Sequence, residues 1–432
     1  MMTIQKGLKG QLRVASDKSI THRAIILGAM AVGKTHIMQP LLSDDIRQTI
    51  HGVQQLGVDV VITEHNDIII DSLGIADIQK RQFDEPIAFN FGNSGTTTRL
   101  MIGLLAGLGI PAVVTGDDSL TRRPMNRIVD LLTDYGADIT TTDGHLPVTI
   151  RGGIMTDVIN ETLKVPSAQI KTSLLLAGLS AGVPVIVFDD FQTRNHTENM
   201  LPSFGVTVDC QGGMIFVSGD QRLTATTVSV PADMSSAAFW LVGATLQPGS
   251  DIVLQDVNVN ETRSGIVKVL RRMGASITLL NERVQNGEPI ADVRVASVSQ
   301  LIGTTVQGGE VTTMIDELPI LALALARSEG DSRVMDAGEL RVKESDRINT
   351  VSETLVAYGA DVKPTPDGFL ITGVSRLQAP AESLSNHGDH RIAMLQSIAQ
   401  LLTSNDAPIA DQAAIGVSYP DFKRDMEVLM HA

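Results

Sequence analysis

The sequence predicts an α/β protein assembled from repeated small subdomains, and three observations support this fold class. First, a helix-like stretch ends five times in a large apolar residue, Gly, then Ala or Val and a short polar residue, and the five glycines are Gly57, Gly136, Gly205, Gly274 and Gly359. Glycine at this place is typical of a left-handed helix C-cap. Second, alternating strand-like residues follow each copy, usually with a Gly-containing turn and a second strand. Third, the copies are roughly 70 to 85 residues apart, which suits a small βαβ-type subdomain and is too long for a solenoid repeat.

The composition limits the class of protein. The 432 residues exceed what one hydrophobic core organises, so we expect at least two domains. The balance of 49 acidic against 34 basic residues gives a net charge of −15, which argues against nucleic acid and anionic membranes as partners. The longest apolar stretch, residues 174–188, is too short to span a bilayer. A single cysteine, Cys210, excludes a disulfide framework and a Cys-rich metal site, so we expect a cytoplasmic enzyme.

The predicted helices begin with unusually polar and often basic clusters. These clusters are residues 17–23, 92–99, 167–171, 231–236, 315–317, 341–347 and 388–391. N-capping explains their Ser, Thr, Asp and Asn residues, because these side chains accept hydrogen bonds from unpaired N–H groups at helix starts. It does not explain the cations, which are unfavourable near the positive end of a helix dipole by up to about 1 kcal/mol each. The cations in question are Lys18, Arg23, Lys343, Arg347 and Arg391.

An anion bound at these helix ends would compensate the cost, because free N–H groups and basic side chains then act together. Arginine suits carboxylates and phosphates, since its planar fork matches two oxygens at once. Several such ends in an acidic protein therefore predict a pocket for a polyanionic small molecule. Scattered surface salt bridges are the alternative interpretation.

Two local patterns predict other functions, and their context argues against both. Residues 28–35 match the phosphate-loop pattern of nucleotide triphosphatases. That loop needs a strand before it, whereas Gly28 lies inside a helix-like run and Thr35 enters a predicted strand. Residues 387–390 hold two histidines and an aspartate, as metal sites can. The adjacent Arg391 favours an anion instead, so we predict no metal.

Together, the clusters resemble the enolpyruvyl transferase family, and within it the branch that acts on shikimate 3-phosphate. The resemblance covers essentially the whole chain, and five spaced motifs in the same order carry it. They are Asp17-Lys18-Ser19 with Arg23, residues 92–96 with Arg99, Arg122-Arg123-Pro124, residues 341–347, and Asp389-His390-Arg391. Five motifs in order are far more specific than any one of them alone.

The resemblance implies two similar domains, each built from three βαβαββ-type units in the inside-out barrel of this family. One domain is expected to be inserted at residues 17–229. The other combines residues 1–16 with residues 230–432, with hinges near residues 16 and 230. The five glycine caps fit six units if the sixth is split between the N- and C-terminal segments.

The resemblance also implies a reaction in the biosynthesis of aromatic amino acids. The family transfers the enolpyruvyl group of phosphoenolpyruvate to the 5-hydroxyl of shikimate 3-phosphate and releases phosphate. It does so by addition and elimination through a tetrahedral intermediate, without metal or cofactor. The two phosphates and two carboxylates of the substrates repel one another, which accounts for the basic clusters. We expect a monomer whose partners are these two small molecules and whose domains close over them.

The motif positions imply which residues bind each substrate. Those expected at shikimate 3-phosphate are Lys18, Ser19, Arg23, Ser167, Ala168, Gln169, Arg194, Asp316 and Lys343. Those expected at phosphoenolpyruvate are Lys18, Gly95, Arg123, Gln169, Arg347 and Arg391.

Three residues are implied in catalysis. Asp316 matches the acid/base residue that faces the reacting hydroxyl. Glu344, together with Lys18, is the candidate for proton transfer at the methylene carbon. Lys343 is expected to hold substrate and to tune the neighbouring Glu344 carboxylate.

Some positions depart from the family's usual pattern. Ala15-Ser16 replaces Pro-Gly before the first motif, which could alter the hinge. Val417 replaces a basic residue near the C-terminus, so one phosphoenolpyruvate contact is missing or is supplied elsewhere. Residues 194–196 are Arg-Asn-His where some members have Lys-Pro-Tyr.

Two alternatives remain open. The sister transferase that acts on UDP-N-acetylglucosamine normally carries Lys-Asn in place of Lys18-Ser19 and a Cys in the loop at residues 116–124, which has none here. A non-catalytic anion-binding protein is the other alternative. The presence of Asp316, Glu344 and Lys18 argues against it.

Overall fold

The chain divides into two units, each of which gathers segments from different parts of the sequence. The structure, a computed structural model, describes residues 7–81, 83, 85–403 and 412–431. The inserted unit comprises Asp17–Val230 and the turn Gln285–Glu288. The discontinuous unit comprises the described residues of 1–16, 231–284 and 289–432. The turn 285–288 was not predicted to group with the inserted unit.

Helices and strands alternate along both units. Within the described residues the strands are β1 (Lys9–Leu12), β2 (Val32–Met38), β3 (Asp59–Ile62), β4 (Ile68–Leu73), β5 (Ile87–Asn90), β6 (Ala112–Thr115), β7 (Ile139–Thr142), β8 (His145–Ile150), β9 (Ile159–Thr162), β10 (Val185–Phe188), β11 (Val208–Gln211), β12 (Met214–Val217), β13 (Thr227–Ser229), β14 (Asp251–Asn258), β15 (Ser276–Gln285), β16 (Glu288–Ala296), β17 (Thr305–Val306), β18 (Asp331–Val334), β19 (Asp361–Thr365) and β20 (Gly368–Thr372). The α-helices are α1 (Lys18–Met30), α2 (Asp44–Gln55), α3 (Ile75–Lys80), α4 (Gly95–Leu108), α5 (Asp118–Thr121), α6 (Asn126–Asp134), α7 (Ala168–Ala181), α8 (His196–Met200), α9 (Met234–Leu246), α10 (Gly265–Arg272), α11 (Gly309–Thr312), α12 (Leu318–Ala326), α13 (Arg347–Ala357), α14 (His390–Leu401) and α15 (Phe422–His431). Short 3₁₀ helices cover Leu201–Phe204, Gly338–Val342 and Gln412–Val417.

Five four-stranded sheets in the described part of the chain share one topology. In each, two parallel strands lie beside an antiparallel hairpin, whose second strand pairs with one of them. The two parallel strands are joined through a helical connection in three sheets, whereas in the sheets of β13-β2 and β1-β14 they come from distant parts of the chain. In the inserted unit the strand orders are β13-β2-β4-β3, β5-β6-β8-β7 and β9-β10-β12-β11. In the discontinuous unit they are β1-β14-β16-β15 and β17-β18-β20-β19. The predicted α/β fold class of repeated units is confirmed. The predicted sixth unit falls partly on residues 404–411, outside the described residues, and stays a prediction.

Sheet pairing joins segments that are far apart in sequence. The strand β1 pairs in parallel with β14, from Lys9 opposite Asp251 to Leu12 opposite Leu254. The strand β13 pairs in parallel with β2 and so completes the first sheet of the inserted unit. In each unit, main-chain hydrogen bonds therefore join two segments that are distant in sequence.

The glycine caps end helices as the sequence predicts. All five glycines have positive φ, with +82° at Gly57, +89° at Gly136, +80° at Gly205, +101° at Gly274 and +82° at Gly359. Each is followed by one of the antiparallel hairpins. A residue with a Cβ is strained in this conformation, which is why glycine marks these five helix ends.

Two kinds of helix occupy different environments. Six helices are buried on nearly all sides, namely α1, α4, α7, α9, α12 and α14. By contrast, α2, α6 and α10 bury one apolar face. A helix that is apolar all round is stable only inside a core, and the charged residues of these six helices all lie in their first two turns. In the discontinuous unit, α9, α12 and α14 pack against one another.

The structure also agrees with the rejection of the phosphate-loop pattern. Gly28 lies inside α1, and Thr35 lies within β2. No helix in the described ranges is long and apolar enough to cross a membrane.

Glycine allows the closest helix packing in the inserted unit. The helices α4 and α7 touch at Gly103, where an added Cβ would lie 2.4 Å from the carbonyl oxygen of Ser173. One turn later, a Cβ at Gly107 would lie 2.3 Å from the carbonyl oxygen of Ala177. Because these neighbours are backbone atoms, they cannot move aside as a flexible side chain can.

We expect Gly103→Ala to lower the free energy of unfolding by about 1–3 kcal/mol, because overpacking forces the two backbones apart. Gly152→Ala is the matched control, since a Cβ there meets only Asp138 Cβ at 3.5 Å, an ordinary contact. Urea unfolding followed by circular dichroism measures both. Equal stability of the two variants would contradict this account of the packing.

Candidate active site

The predicted polar clusters lie at helix starts, and all but the one at residues 315–317 supply the side chain that caps the helix, with Asp346 as the cap of α13. The capping residues that accept a backbone hydrogen bond at α1, α4, α7, α9 and α14 are Asp17, Ser94, Ser167, Asp233 and Asp389. The expected N-capping is therefore confirmed. The cations follow at once in sequence, with Lys18 at the first position of α1 and Arg391 at the second position of α14. The starts of α1 and α14 therefore combine a capping side chain, the backbone N–H groups of a first helical turn and a positively charged side chain.

Lys18 is paired within the inserted unit. Its ammonium forms an ion pair with Asp45 in the first turn of α2. Asp45 is not among the residues predicted for the site. Its sequence signal, two consecutive acids at a helix start, is what an ordinary helix N-terminus also shows.

Predicted and unpredicted residues meet at the start of α4. Arg99 Nη1 donates a hydrogen bond to Gln169 Oε1 at 3.0 Å. Arg123 Nη2 donates to Asn93 Oδ1 at 2.6 Å. A Cβ added at Gly95 would lie 3.0 Å from a guanidinium nitrogen of both Arg99 and Arg123. The structure therefore brings Gly95, Arg123 and Gln169 together and adds Arg99, a motif residue to which no role was assigned.

Arg23 is buried and fully engaged with its own unit. Its Nε donates to Thr197 Oγ1 at 2.8 Å, its Nη2 to Thr172 Oγ1 at 2.9 Å and its Nη1 to the Ser19 carbonyl at 3.1 Å. Burial, and to a lesser degree the charge of Arg194, lowers the pKa of Arg23 to about 10. Arg194 lies three residues before Thr197, the residue that accepts from Arg23 Nε. Its charge acts on Arg23 against the stronger attraction of Glu198 and Asp17. Two guanidinium groups in connected segments suit an anion that carries two charges.

A buried chain of hydroxyl groups links three helices beneath these residues. His22 Nδ1 shares a hydrogen bond with Thr49 Oγ1 at 2.7 Å, and Thr49 Oγ1 shares one with Thr97 Oγ1 at 2.7 Å. Thr97 Oγ1 in turn lies 2.6 Å from Ser94 Oγ, the cap of α4. Burial, followed by the charge of Lys18, lowers the pKa of His22 to about 3. The imidazole is therefore neutral near pH 7.

In the discontinuous unit, three cations surround Asp316. Its Oδ1 lies 3.3 Å from Arg347 Nη1 and 3.7 Å from Lys343 Nζ. Its Oδ2 lies 3.9 Å from Arg391 Nη2, and its carbonyl accepts a hydrogen bond of 2.8 Å from Arg391 Nη1. Asp316 precedes α12 by two residues, so the start of a buried helix fixes its position.

Arg347 lies at the centre of this cluster and is only 1% exposed. Its Nε and Nη2 donate to the two oxygens of Asp389 at 2.8 and 3.2 Å, and its Nη2 also donates to Glu344 Oε2 at 2.6 Å. Burial alone lowers the pKa of Arg347, but Asp389, Glu344 and Asp316 outweigh it and raise the pKa. Burial raises the pKa of Asp389, but the charge and hydrogen bonds of Arg347 lower it, and the net result is a lowered pKa. Both groups stay charged.

A second buried network lies behind Arg391. Glu317 is fully buried, accepts a hydrogen bond from Ser235 Oγ, and lies 3.9 Å from Arg391 Nη1. Arg263 Nη2 donates to Ser235 Oγ at 2.7 Å and also pairs with Asp233. None of Glu317, Arg263 and Ser235 was assigned a role from the sequence, because their pairing depends on tertiary contacts.

The predicted residues therefore fall into two groups, one in each unit. In the discontinuous unit, one connected set of ion pairs joins Asp316, Lys343, Glu344, Arg347 and Arg391. In the inserted unit, Ser167 caps α7, and Ala168 and Gln169 are its first two residues. Lys18 and Arg347 are paired with carboxylates, whereas Arg99 and Arg123 both lie close to Gly95. Neighbouring cations of this kind are typical of anion-binding sites.

The chain is similar to known proteins over nearly its whole length. The sequence matches the family model described as EPSP synthase (3-phosphoshikimate 1-carboxyvinyltransferase) over residues 2–426. It is 42% identical over 432 residues to the 3-phosphoshikimate 1-carboxyvinyltransferase of Oceanobacillus iheyensis, covering 100% of this chain and 99% of that protein. It is 44% identical over 420 residues to that of Pelotomaculum thermopropionicum, covering 96% and 95%. A solved structure of EPSP synthase from Acinetobacter baumannii matches with a TM-score of 0.85 and 39% identity, covering 98% and 96% of the two chains.

The buried, neutral His22 makes stability depend on pH. Its pKa is about 3 in the folded protein against 6.5 as the ordinary value, so the unfolded chain binds more protons between these limits. Stability is therefore lost as the pH falls below about 6.5, and this residue contributes about 2 kcal/mol of that loss between pH 7 and pH 5. We expect His22→Asn to remove this part of the pH dependence of urea unfolding.

The control for this measurement is His51→Asn, because His51 is exposed on α2. That variant should keep the pH dependence of the wild type. The burial argument is wrong if His22→Asn and His51→Asn give the same slope of unfolding free energy against pH.

Proposed function

The chain belongs to the EPSP synthase family, and we propose that it transfers the enolpyruvyl group of phosphoenolpyruvate to the 5-hydroxyl of shikimate 3-phosphate, with release of phosphate. The single observation that carries this proposal is the arrangement of Lys343, Arg347 and Arg391 around the Asp316 carboxylate. It combines a proton acceptor with cations that match a carboxylate or phosphate.

We assign the binding of shikimate 3-phosphate mainly to three segments of the inserted unit. The residues are Lys18, Ser19, Arg23, Ser167, Ala168, Gln169 and Arg194, with Asp316 and Lys343 of the discontinuous unit. The hydrogen bond from Arg23 to Thr197, three residues after Arg194, supports this assignment, because it connects the two segments whose guanidinium groups would share the phosphate dianion. The free N–H groups at the starts of α1 and α7 add to the attraction.

Phosphoenolpyruvate is assigned to a second set of residues. These are Lys18, Gly95, Arg123 and Gln169 in the inserted unit, and Arg347 and Arg391 in the discontinuous unit. Two guanidinium groups lie 3.0 Å from where a Cβ at Gly95 would be, so the absence of a side chain there lets a small anion approach both groups and the backbone. Arginine forks suit both ends of this substrate, since one end is a carboxylate and the other a phosphate.

The chemistry requires two proton transfers. In the addition step the 5-oxygen bonds to C2 of phosphoenolpyruvate, the hydroxyl proton passes to Asp316, and C3 gains a proton to become a methyl group. In the elimination step C3 loses a proton and the C2–O bond to phosphate breaks, which restores the enol double bond, and the departing phosphate takes up the proton that Asp316 held. We assign the proton transfers at C3 to Glu344, whose charge Arg347 compensates at 2.6 Å, and the holding of substrate to Lys343 and Lys18.

Replacing either carboxylate by its amide should abolish most of the activity. We expect Asp316→Asn and Glu344→Gln each to lower kcat by about 10²–10⁴-fold, the usual contribution of positioned proton transfer. Phosphate release from shikimate 3-phosphate and phosphoenolpyruvate measures this. The amides keep the shape of the side chains, so folding should be preserved.

The matched control is Asp361→Asn, which changes an exposed aspartate at the start of β19 in the same unit and should keep full activity. Full activity of either amide variant would contradict the assigned roles. Phosphate release with UDP-N-acetylglucosamine but not with shikimate 3-phosphate would contradict the substrate.

Arg391 should act on phosphoenolpyruvate selectively. We expect Arg391→Lys to raise KM for phosphoenolpyruvate by about tenfold or more, because lysine cannot form the two parallel hydrogen bonds of the arginine fork. KM for shikimate 3-phosphate should change by less than about twofold. Arg327→Lys, at the far end of α12, should change neither. An equal rise in both KM values for Arg391→Lys would contradict the assignment.

A further inference from the structure

Lys171 is a buried cation to which the proposed chemistry gives no role. It lies on α7 two residues after Gln169 and is 1% exposed. Lysine is almost never buried this completely unless its charge is paired. Its Nζ lies 2.8 Å from Asp189 Oδ2 and 2.7 Å from Glu198 Oε1. Burial alone lowers the pKa of Lys171, but the two carboxylates outweigh it and raise the pKa, so the side chain stays charged.

Asp189 organises the turn that leads to Arg194. Its Oδ2 accepts hydrogen bonds from the Thr193 amide at 3.0 Å and the Thr193 hydroxyl at 2.6 Å, as well as from Lys171. Lys171 also donates to the Thr193 carbonyl at 3.3 Å. Within this turn Gln192 has φ of +51°, a conformation that is unfavourable for residues other than glycine. One buried carboxylate and one ammonium thus hold a strained turn in place.

The segment is tied to α7 at its other end as well. Glu198, on α8, is the second carboxylate on Lys171. One residue before it, Thr197 Oγ1 shares a hydrogen bond of 2.8 Å with Thr172 Oγ1, and both hydroxyls accept from Arg23. Arg194 therefore lies between two attachment points on α7, five residues after Asp189 and four before Glu198.

This attachment opposes an electrostatic force. Arg194 lies in the segment that Arg23 binds through Thr197, three residues away, and its charge opposes the attraction of Glu198 and Asp17 for Arg23. Because like charges repel, a loosely held segment would allow Arg194 to move away. A buried ion pair adds little net stability compared with apolar packing of the same volume. The arrangement around Lys171 is therefore better explained by a role in placing Arg194 than by stability alone.

We propose that Lys171 is a positioning residue for phosphate recognition: by holding Asp189 and Glu198, it keeps Arg194 beside Arg23 so that both can bind the phosphate of shikimate 3-phosphate. This inference rests on the proposed function. It predicts that loss of the attachment weakens binding of the phosphate and leaves binding of the rest of the substrate unchanged.

The test variant is Lys171→Met/Glu198→Gln, which removes one positive and one negative charge and so keeps the net charge of the cluster. The matched control is Lys34→Gln/Asp71→Asn, which removes an exposed ion pair of the same unit, 3.3 Å long. Isothermal titration of the full chain gives the Kd for two probes, shikimate 3-phosphate and shikimate, which lacks the phosphate. Both variants are also combined with Arg194→Ala.

We expect Lys171→Met/Glu198→Gln to raise the Kd for shikimate 3-phosphate about tenfold or more, the scale of one hydrogen bond to a charged group, with shikimate affected less than about twofold. In the Arg194→Ala background the same change should have little further effect, because the group that it positions is gone. The control variant should match the wild type with both probes.

Three outcomes would overturn the role of Lys171: an unchanged Kd for shikimate 3-phosphate, equal weakening of both probes, or full additivity with Arg194→Ala. If circular dichroism shows that the double variant does not fold, Asp189→Asn takes its place with the same expected result, since it loosens the turn and leaves Lys171 paired with Glu198. A wild-type chain that releases no phosphate from the two substrates contradicts the proposed function instead. An active wild type with an unaffected variant contradicts only the positioning role.

Discussion

The confinement of polar groups to the ends of buried helices is the constraint on which the rest of the structure depends. Six described helices are enclosed on nearly all sides, so none of them can carry charge along its length. Their first turns, however, expose N–H groups that no residue of the helix itself can satisfy. Caps, cations and acids gather in the first two turns, where these N–H groups and the polar side chains of neighbouring segments can pair with them. The site is thus a consequence of how the repeated units bury their helices.

Carboxylates compensate the concentrated positive charge of these helix ends within each unit. Arg347 is buried and holds Asp389, Glu344 and Asp316 at once, and Lys18 is paired with Asp45. Breaking such buried pairs leaves an uncompensated charge and is costly, so the side chains are fixed in advance of any encounter with substrate. Preorganised charge of this kind favours catalysis, since little reorganisation is needed when charge develops during the reaction.

Local signals made most of the fold predictable. A glycine cap depends on the conformation of one residue, and a hairpin depends on the few residues after it, so all five caps and their hairpins were visible in the sequence. The pairing of Lys18 with Asp45, and of Lys171 with Asp189 and Glu198, joins residues 18 to 27 positions apart. Such pairs depend on how helices pack against each other, and this packing cannot be predicted from a single sequence. The same holds for the turn at residues 285–288, whose grouping with the inserted unit reflects tertiary contacts.

In both units, a buried network of charged and polar side chains accompanies an arginine that is proposed to bind phosphate or carboxylate. Behind Arg391 lies the chain from Glu317 through Ser235 to Arg263, and beside Arg194 lies the pair of carboxylates on Lys171. An arginine that must meet an anion in a fixed geometry loses selectivity if it can relax toward solvent. Apolar packing could fill the same volume, but it would not resist the repulsion between neighbouring cations. Buried, charge-balanced networks do resist it, which explains why this acidic protein keeps so many ionised groups out of water.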